Sequence, residues 1–211
     1  MLEQRNLGRP FFRALAAYVL IYADKDGEWC VDVAHTELGH AVTCFLSSFD
    51  AIIEATHLAR NGRSYRVMAA SDIDENLFCD SDEQGLIADI HVGWSACDGR
   101  IITRPSGAFS RSCTVMHHWA AVPPRFEVDG LMLAEYSRCR ELAGLYAWQE
   151  TADNIRWWPE ARCRTVAERA LASIELMHGK AQDVRQIALY DPECEQWHFV
   201  PYAGPRNGGS K

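Results

Sequence analysis

The stretch Asp72-Ile73-Asp74-Glu75-Asn76-Leu77-Phe78-Cys79-Asp80-Ser81-Asp82-Glu83 holds six carboxylates and no base in twelve residues. Carboxylates at this density serve two kinds of chemistry: they ligate hard cations, and they meet basic surfaces. Laid on the frame of an EF-hand calcium loop, Asp72, Asp74, Asn76, Asp80 and Glu83 fall on positions 1, 3, 5, 9 and 12. All five are oxygen donors of the right type, and Phe78 offers its carbonyl at position 7. The frame fails where backbone geometry matters. Its sixth position needs glycine for a sharp turn and here is Leu77, and its eighth, usually aliphatic, is Cys79. The preceding Tyr65–Ala70 also reads as strand rather than helix.

Three readings of the loop follow. A looser Ca²⁺ or Mg²⁺ site would use Asp72, Asp74, Asn76, Asp80 and Glu83; no other cofactor is signalled. A partner surface would use Asp72, Asp74, Glu75, Asp80, Asp82 and Glu83 against a basic protein. The plain alternative is a solvated loop between strands.

A second group is Trp157-Trp158 with Arg156, Arg162 and Arg164. Tryptophan and arginine are the residues enriched at interface hot spots. Neighbouring tryptophans on a helix cannot both face one core, so one is expected near the surface. Trp157 and Trp158 are therefore candidate partner-binding residues, with packing between two lobes as the alternative.

Nucleophiles are harder to place. Cys113 stands four residues before His117, and a Cys–His pair would need an activated thiolate and a third group to orient the imidazole. On a strand His117 and His118 point to opposite faces and cannot share a site. His35 and His40 flank a tight turn and invite a two-histidine metal site. No HExxH, GxSxG, GxxxxGK[ST] or GxGxxG occurs. Absent motifs do not exclude an enzyme, because general acids and bases need only converge in space.

Charge narrows the partners. The net charge of −8 disfavours nucleic acid, whose phosphates need clustered Lys and Arg. It favours basic proteins or metal ions. Residues 1–105 carry 16 acids against 9 bases, so the acidity belongs almost wholly to the first half. Arginine outnumbers lysine 18 to 3, the signature of a GC-rich, bacterial-type genome. The eight cysteines contain no CxxC and several sit in apolar runs, so reduced thiols and a cytoplasmic setting are expected. No apolar run reaches the ~18–20 residues of a membrane helix. Arg5, Arg9 and Arg13 before the apolar 14–23 imitate a secretory leader. The run flows into the turn Asp24–Gly27, however, which favours a buried strand.

The positioning elements follow from periodicity. Residues 17–23, 29–34 and 41–46 read as strands. Ser47, three residues before Asp50, opens a helix with Phe49, Ile52, Ile53 and Thr56 on one face, stopped by Asn61-Gly62. Tyr65–Ala70 is the next strand, giving β-β-β-α-β. Leu86–Val92 and Arg100–Thr103 form a hairpin around Cys97–Gly99, Arg104–Gly107 links two lobes, and 114–122 is one more strand. Asp129 is expected to cap a helix reaching about Gln149. Thr165–Glu168 makes a capping box for a helix stopping at Gly179. Val184–Tyr190 and Gln196–Tyr202 close the chain as a hairpin, and 204–211 is a flexible tail.

The expectation is an α+β protein: a mixed or mainly antiparallel sheet with about three helices. The acidic lobe spans 14–104 and a helix-richer lobe 108–203, with a single continuous domain also open. The expected function is a cytoplasmic protein-binding inhibitor of the immunity-protein type, neutralising a basic partner such as a toxin nuclease, with no nucleic acid or membrane as direct partner. The alternatives are an enzyme without a linear motif, metal-assisted through 72–83, and a subunit of a larger complex.

Overall fold

Val19, Leu20 and Ile21 are all buried, although neighbours on a strand point to opposite faces. Val19 and Ile21 join one apolar cluster and Leu20 another, so strand β1 (Tyr18–Ala23) is covered on both sides. That is why its sequence is a continuous apolar run. The structure, a computed structural model, describes residues 17–36, 39–73, 86–118 and 130–202. The leader-like arginines and the tail 204–211 lie outside them.

The chain continues as β2 (Trp29–Val31), β3 (Val33–Thr36), β4 (Gly39–Phe45), α1 (Ser48–Arg60) and β5 (Arg66–Ala69). Asp32 divides what reads as one strand, because its N–H bonds to Leu20 while its carbonyl accepts from Thr43. Helix α1 begins where its cap requires: the Ser47 hydroxyl accepts from Asp50 N at 3.3 Å.

The second half holds β6 (Leu86–Cys97), β7 (Arg100–Thr103), β8 (Arg111–His118), α2 (Gly130–Leu142), α3 (Trp148–Ile155), α4 (Glu160–Ser173), β9 (Leu176–His178), β10 (Gln186–Asp191) and β11 (Gln196–Pro201). With four helices and one mixed eleven-stranded sheet among the described residues, the fold is α+β. The main path is β11-β10-β6-β4-β1-β2, with β4 and β6 parallel, so strands of both expected lobes share one sheet. Residues 104–107 form the turn between β7 and the bridge Thr103–Phe109 rather than an extended connection.

β6 organises the sheet by bonding to β4, β8, β10 and β7. Its register shifts between His91 and Gly93. Ile90 and Val92 pack toward α2, whereas Trp94 and Ala96 pack toward α1 and α4. The bulge thus exchanges the faces of the strand midway. Gly93 is required there. A Cβ would lie 2.2 Å from the Ile187 methyl and 2.9 Å from the Ala188 carbonyl oxygen.

Two helical expectations are corrected. The single helix to Gln149 is two helices, because Gly144 at φ +79° turns the chain and Leu145 N returns to the Arg140 carbonyl. The Thr165 capping box is not a helix start. Helix α4 already begins after Pro159, and the Thr165 hydroxyl donates back to the Ala161 carbonyl at 2.9 Å. It stops at Ser173, and β9 follows, parallel to β7. Among the described residues no helix is long and apolar enough to cross a membrane.

Candidate functional site

Asp72 ends a short 3₁₀ turn (Ala70–Asp72) directly after β5, is exposed, and accepts from the Ser71 hydroxyl at 3.2 Å. The acidic stretch thus begins directly after β5 and precedes β6 in the chain. Asp74, Glu75, Asn76, Asp80, Asp82 and Glu83 lie outside the described residues. Among the described residues no group of three or more His, Cys, Asp or Glu is arranged to hold a metal ion.

Trp157 and Trp158 sit in the turn between α3 and α4, not on a helix. Backbone bonds Trp157 N to Asn154 O and Trp158 N to Ile155 O tighten that turn. Trp158 packs edge-on against Phe49 with centroids 6.2 Å apart, and the Arg162 guanidinium stacks on it at 3.6 Å. Trp157 projects outward with 87% of its surface exposed. The pair is divided between core and surface as expected. Arg156, just past the end of α3, pairs with Asp153 of that helix, and Arg164 pairs with Glu160 within α4.

A band of polar groups lies where β6 and β8 meet α1. The Trp94 indole N–H donates to Glu54 at 2.8 Å, and Arg111 donates to Asp32 at 2.9 Å. Cys113 stands opposite His91 in the ladder. Loss of solvent, then the Asp89 carboxylate, pushes the Cys113 thiol well above its ordinary value. Burial pulls the imidazole of His91 well below its own. The thiol stays protonated, so this band holds no activated nucleophile. The His117 side chain lies outside those described. His35 and His40 pair across β3 and β4, where the turn signal places them.

A concave site lies away from the residues that the sequence offers as functional candidates. A cleft of about 160 Å³ opens between the end of α2, helix α3 and the β10–β11 turn. Tyr136 and Trp148 meet edge-to-face at 5.0 Å on its wall. Arg140 reaches in from α2, one turn after Tyr136, and pairs with Asp50 of α1. Burial works against the Arg140 charge, but Asp50 and Tyr136 outweigh it and hold the guanidinium above its ordinary pKa. Tyr190 closes the floor from β10, stacked on Phe49 at 5.8 Å. Burial, with the nearby Glu195 and Asp191 carboxylates, pushes its phenol up to about 12. Asp191 and Glu193 complete the lining on the turn side. Glu193 is braced by the Thr151 hydroxyl at 2.7 Å.

One signal for this site was legible: Arg140 sits beside the apolar stripe Met132, Tyr136, Cys139, Ala143. A charge at the margin of such a stripe asks for a buried partner. No family model, no curated protein and no solved structure matches this chain.

Proposed function

We propose that this chain is a protein-binding protein of the inhibitor type, engaging a basic partner in the cytoplasm. The observation that carries the reading is Trp157. A large aromatic is held almost fully in solvent by a turn whose next residue, Trp158, is pinned to the core. A pre-organised tryptophan loses little entropy on docking, and such anchors contribute on the order of 2 kcal/mol or more at interfaces. The net charge of −8 supplies the complementary term, steering a basic partner and setting on-rate more than affinity. The acids Asp72, Asp74, Glu75, Asp80, Asp82 and Glu83 belong to this reading as the charged contacts.

The test is capture from source-cell lysate at low and high salt, with wild type and Trp157→Ala as baits. The expected result is one basic protein, retained at low salt, weakened at high salt and lost from the variant. Capture that is indifferent to both salt and Trp157 would overturn the reading.

A further inference from the structure

We infer that the cleft between α2, α3 and the β10–β11 turn receives an arginine side chain of a partner protein. Who supplies the arginine rests on the protein-binding reading above; that the cleft takes a guanidinium rests on the cleft alone. Four lining side chains carry this, and all of them reach solvent. Tyr146 is 77% exposed, Glu193 is exposed, and Trp148 and Asp191 are half-buried.

Charge selects a cation. The charged side chains of the lining are Arg140, Asp191 and Glu193. Arg140 is answered by Asp50, whereas Asp191 and Glu193 have no ion-pair partner among the described residues. Neutral donors hold both carboxylates in place. Asp191 Oδ1 accepts from the N–H groups of Glu193 at 2.9 Å and Cys194 at 3.1 Å, and Glu193 Oε2 accepts from the Thr151 hydroxyl at 2.7 Å. An anion would be repelled, and a neutral ring would strip water from two carboxylates without answering them. A metal ion lacks ligands, because among the described residues no three His, Cys, Asp or Glu gather to hold one.

Shape selects the guanidinium. At about 160 Å³ the cleft matches the ~150 Å³ cavity known to hold benzene, so one flat group fits. Aromatic faces attract cations, tryptophan most strongly, and arginine is the commoner partner. A guanidinium also brings a planar fork of donors that matches carboxylates, which an ammonium does not. The molecule builds this combination once beside the cleft, where Arg140 lies over the Tyr136 ring at 4.9 Å and pairs with Asp50. Tyr146, Trp148, Asp191 and Glu193 present the same components to solvent. Helix α3 has eight residues and so spans about 12 Å, which sets the cleft and Trp157 at its two ends. Both lie within the ~800 Å² that a standard interface covers on each partner.

Nα-acetyl-arginine amide is the probe, titrated into the full chain and followed by the NMR shift of the Trp148 indole N–H and by equilibrium dialysis. It is expected to bind at millimolar concentration, to move Trp148, and to weaken with salt. Nα-acetyl-citrulline amide, neutral and of the same shape, should not bind, and Nα-acetyl-lysine amide should bind more weakly. Asp191→Asn with Glu193→Gln keeps the acceptors that the turn and Thr151 need, and should weaken the arginine probe roughly tenfold. Glu28→Gln with Glu175→Gln makes the same change of charge at exposed sites outside the cleft, and should leave binding within about twofold. Tyr146→Ala should weaken binding about threefold, and Tyr146→Phe should restore it. Equal binding of the citrulline or lysine amide overturns the guanidinium assignment. Binding that spares Trp148, or that both double variants reduce equally, belongs to the general acidic surface and overturns the cleft, as does no binding at millimolar concentration. Used as bait, Asp191→Asn with Glu193→Gln should retain less of the partner; undiminished capture overturns the partner's arginine as occupant. Trp157→Ala should leave probe binding unchanged. Loss of partner capture with probe binding intact therefore fails only the protein-binding reading, and capture without probe binding fails only this inference.

Discussion

The guanidinium of Arg140, near the end of α2, pairs with the carboxylate of Asp50 in the first turn of α1, and both side chains are almost fully buried. The two residues stand ninety positions apart in the chain. Asp50 already serves α1 through the Ser47 cap, so one residue fixes the start of a helix and receives the charge of another. The pair also presents Arg140 to the cleft.

Breaking this pair from one side leaves an uncompensated buried charge. Arg140→Met and Asp50→Asn should each cost about 3–5 kcal/mol. The double variant should cost clearly less than the sum of the two, because no charge is then stranded. Urea unfolding of the four proteins measures this. Additive losses would show that the pair is not coupled.

Glu54 gives the stability a definite pH dependence. Burial raises its carboxyl above the ordinary value of 4.5, outweighing Arg111 and the Trp94 N–H that favour the charge. Between its unfolded and folded pKa values the native chain therefore binds more protons than the unfolded chain. Its contribution is complete below about pH 4.5 and is lost as pH rises through the folded value. Glu54→Gln keeps an acceptor for Trp94 but cannot ionise. Melting temperatures of the two proteins should agree near the acid end and diverge in the variant's favour towards neutral pH. A difference that stays flat across this range would contradict the assignment.

Trp157 and Trp158 should separate stability from binding. Trp157→Ala removes a side chain that is 87% exposed and should change stability by less than about 0.5 kcal/mol. Trp158→Ala loses contact with Phe49 and the stacked Arg162, and should cost about 3 kcal/mol. Chemical denaturation distinguishes them, and equal effects would show that the turn is not divided between core and surface.

Gly93→Ala tests the bulge in β6. The new methyl would meet not only the Ile187 and Leu189 side chains but the Ala188 carbonyl oxygen, which belongs to a paired strand and cannot rotate away. A loss of about 1–3 kcal/mol is expected from this crowding alone. The companion variant Gly93→Ala with Ile187→Val should recover only part of it, because the backbone contact remains. Full recovery would place the clash in side chains only.

Elements whose instructions lie within a few adjacent residues were legible before any coordinates. Ser47 with Asp50 and Asn61-Gly62 bracket α1, and the turn after Asp191 joins β10 to β11. The α+β class follows from the same alternation of strand and helix patterns. Elements with competing local signals were misread. Thr165 resembles a cap but lies inside α4, because Pro159 supplies an earlier start and Cys163, Val166 and Ala167 bury against α1 and the sheet. The helix after Gly130 ends earlier than its periodicity predicts, because the turn at Gly144 requires one positive φ that no periodicity displays.

Local geometry, the acidic charge and the adjacency of two tryptophans are written into neighbouring residues. Long-range packing chose Trp157 as the exposed one. It also decided that β4 lies parallel to β6, and that Asp50 of α1, Arg140 of α2 and Tyr190 of β10 gather around one cleft. The reason is physical. Caps and turns are energies between neighbours in the chain, whereas a buried ion pair or a cleft is set by which distant surfaces exclude water together. That selection is a property of the whole packed core, and no short segment carries it.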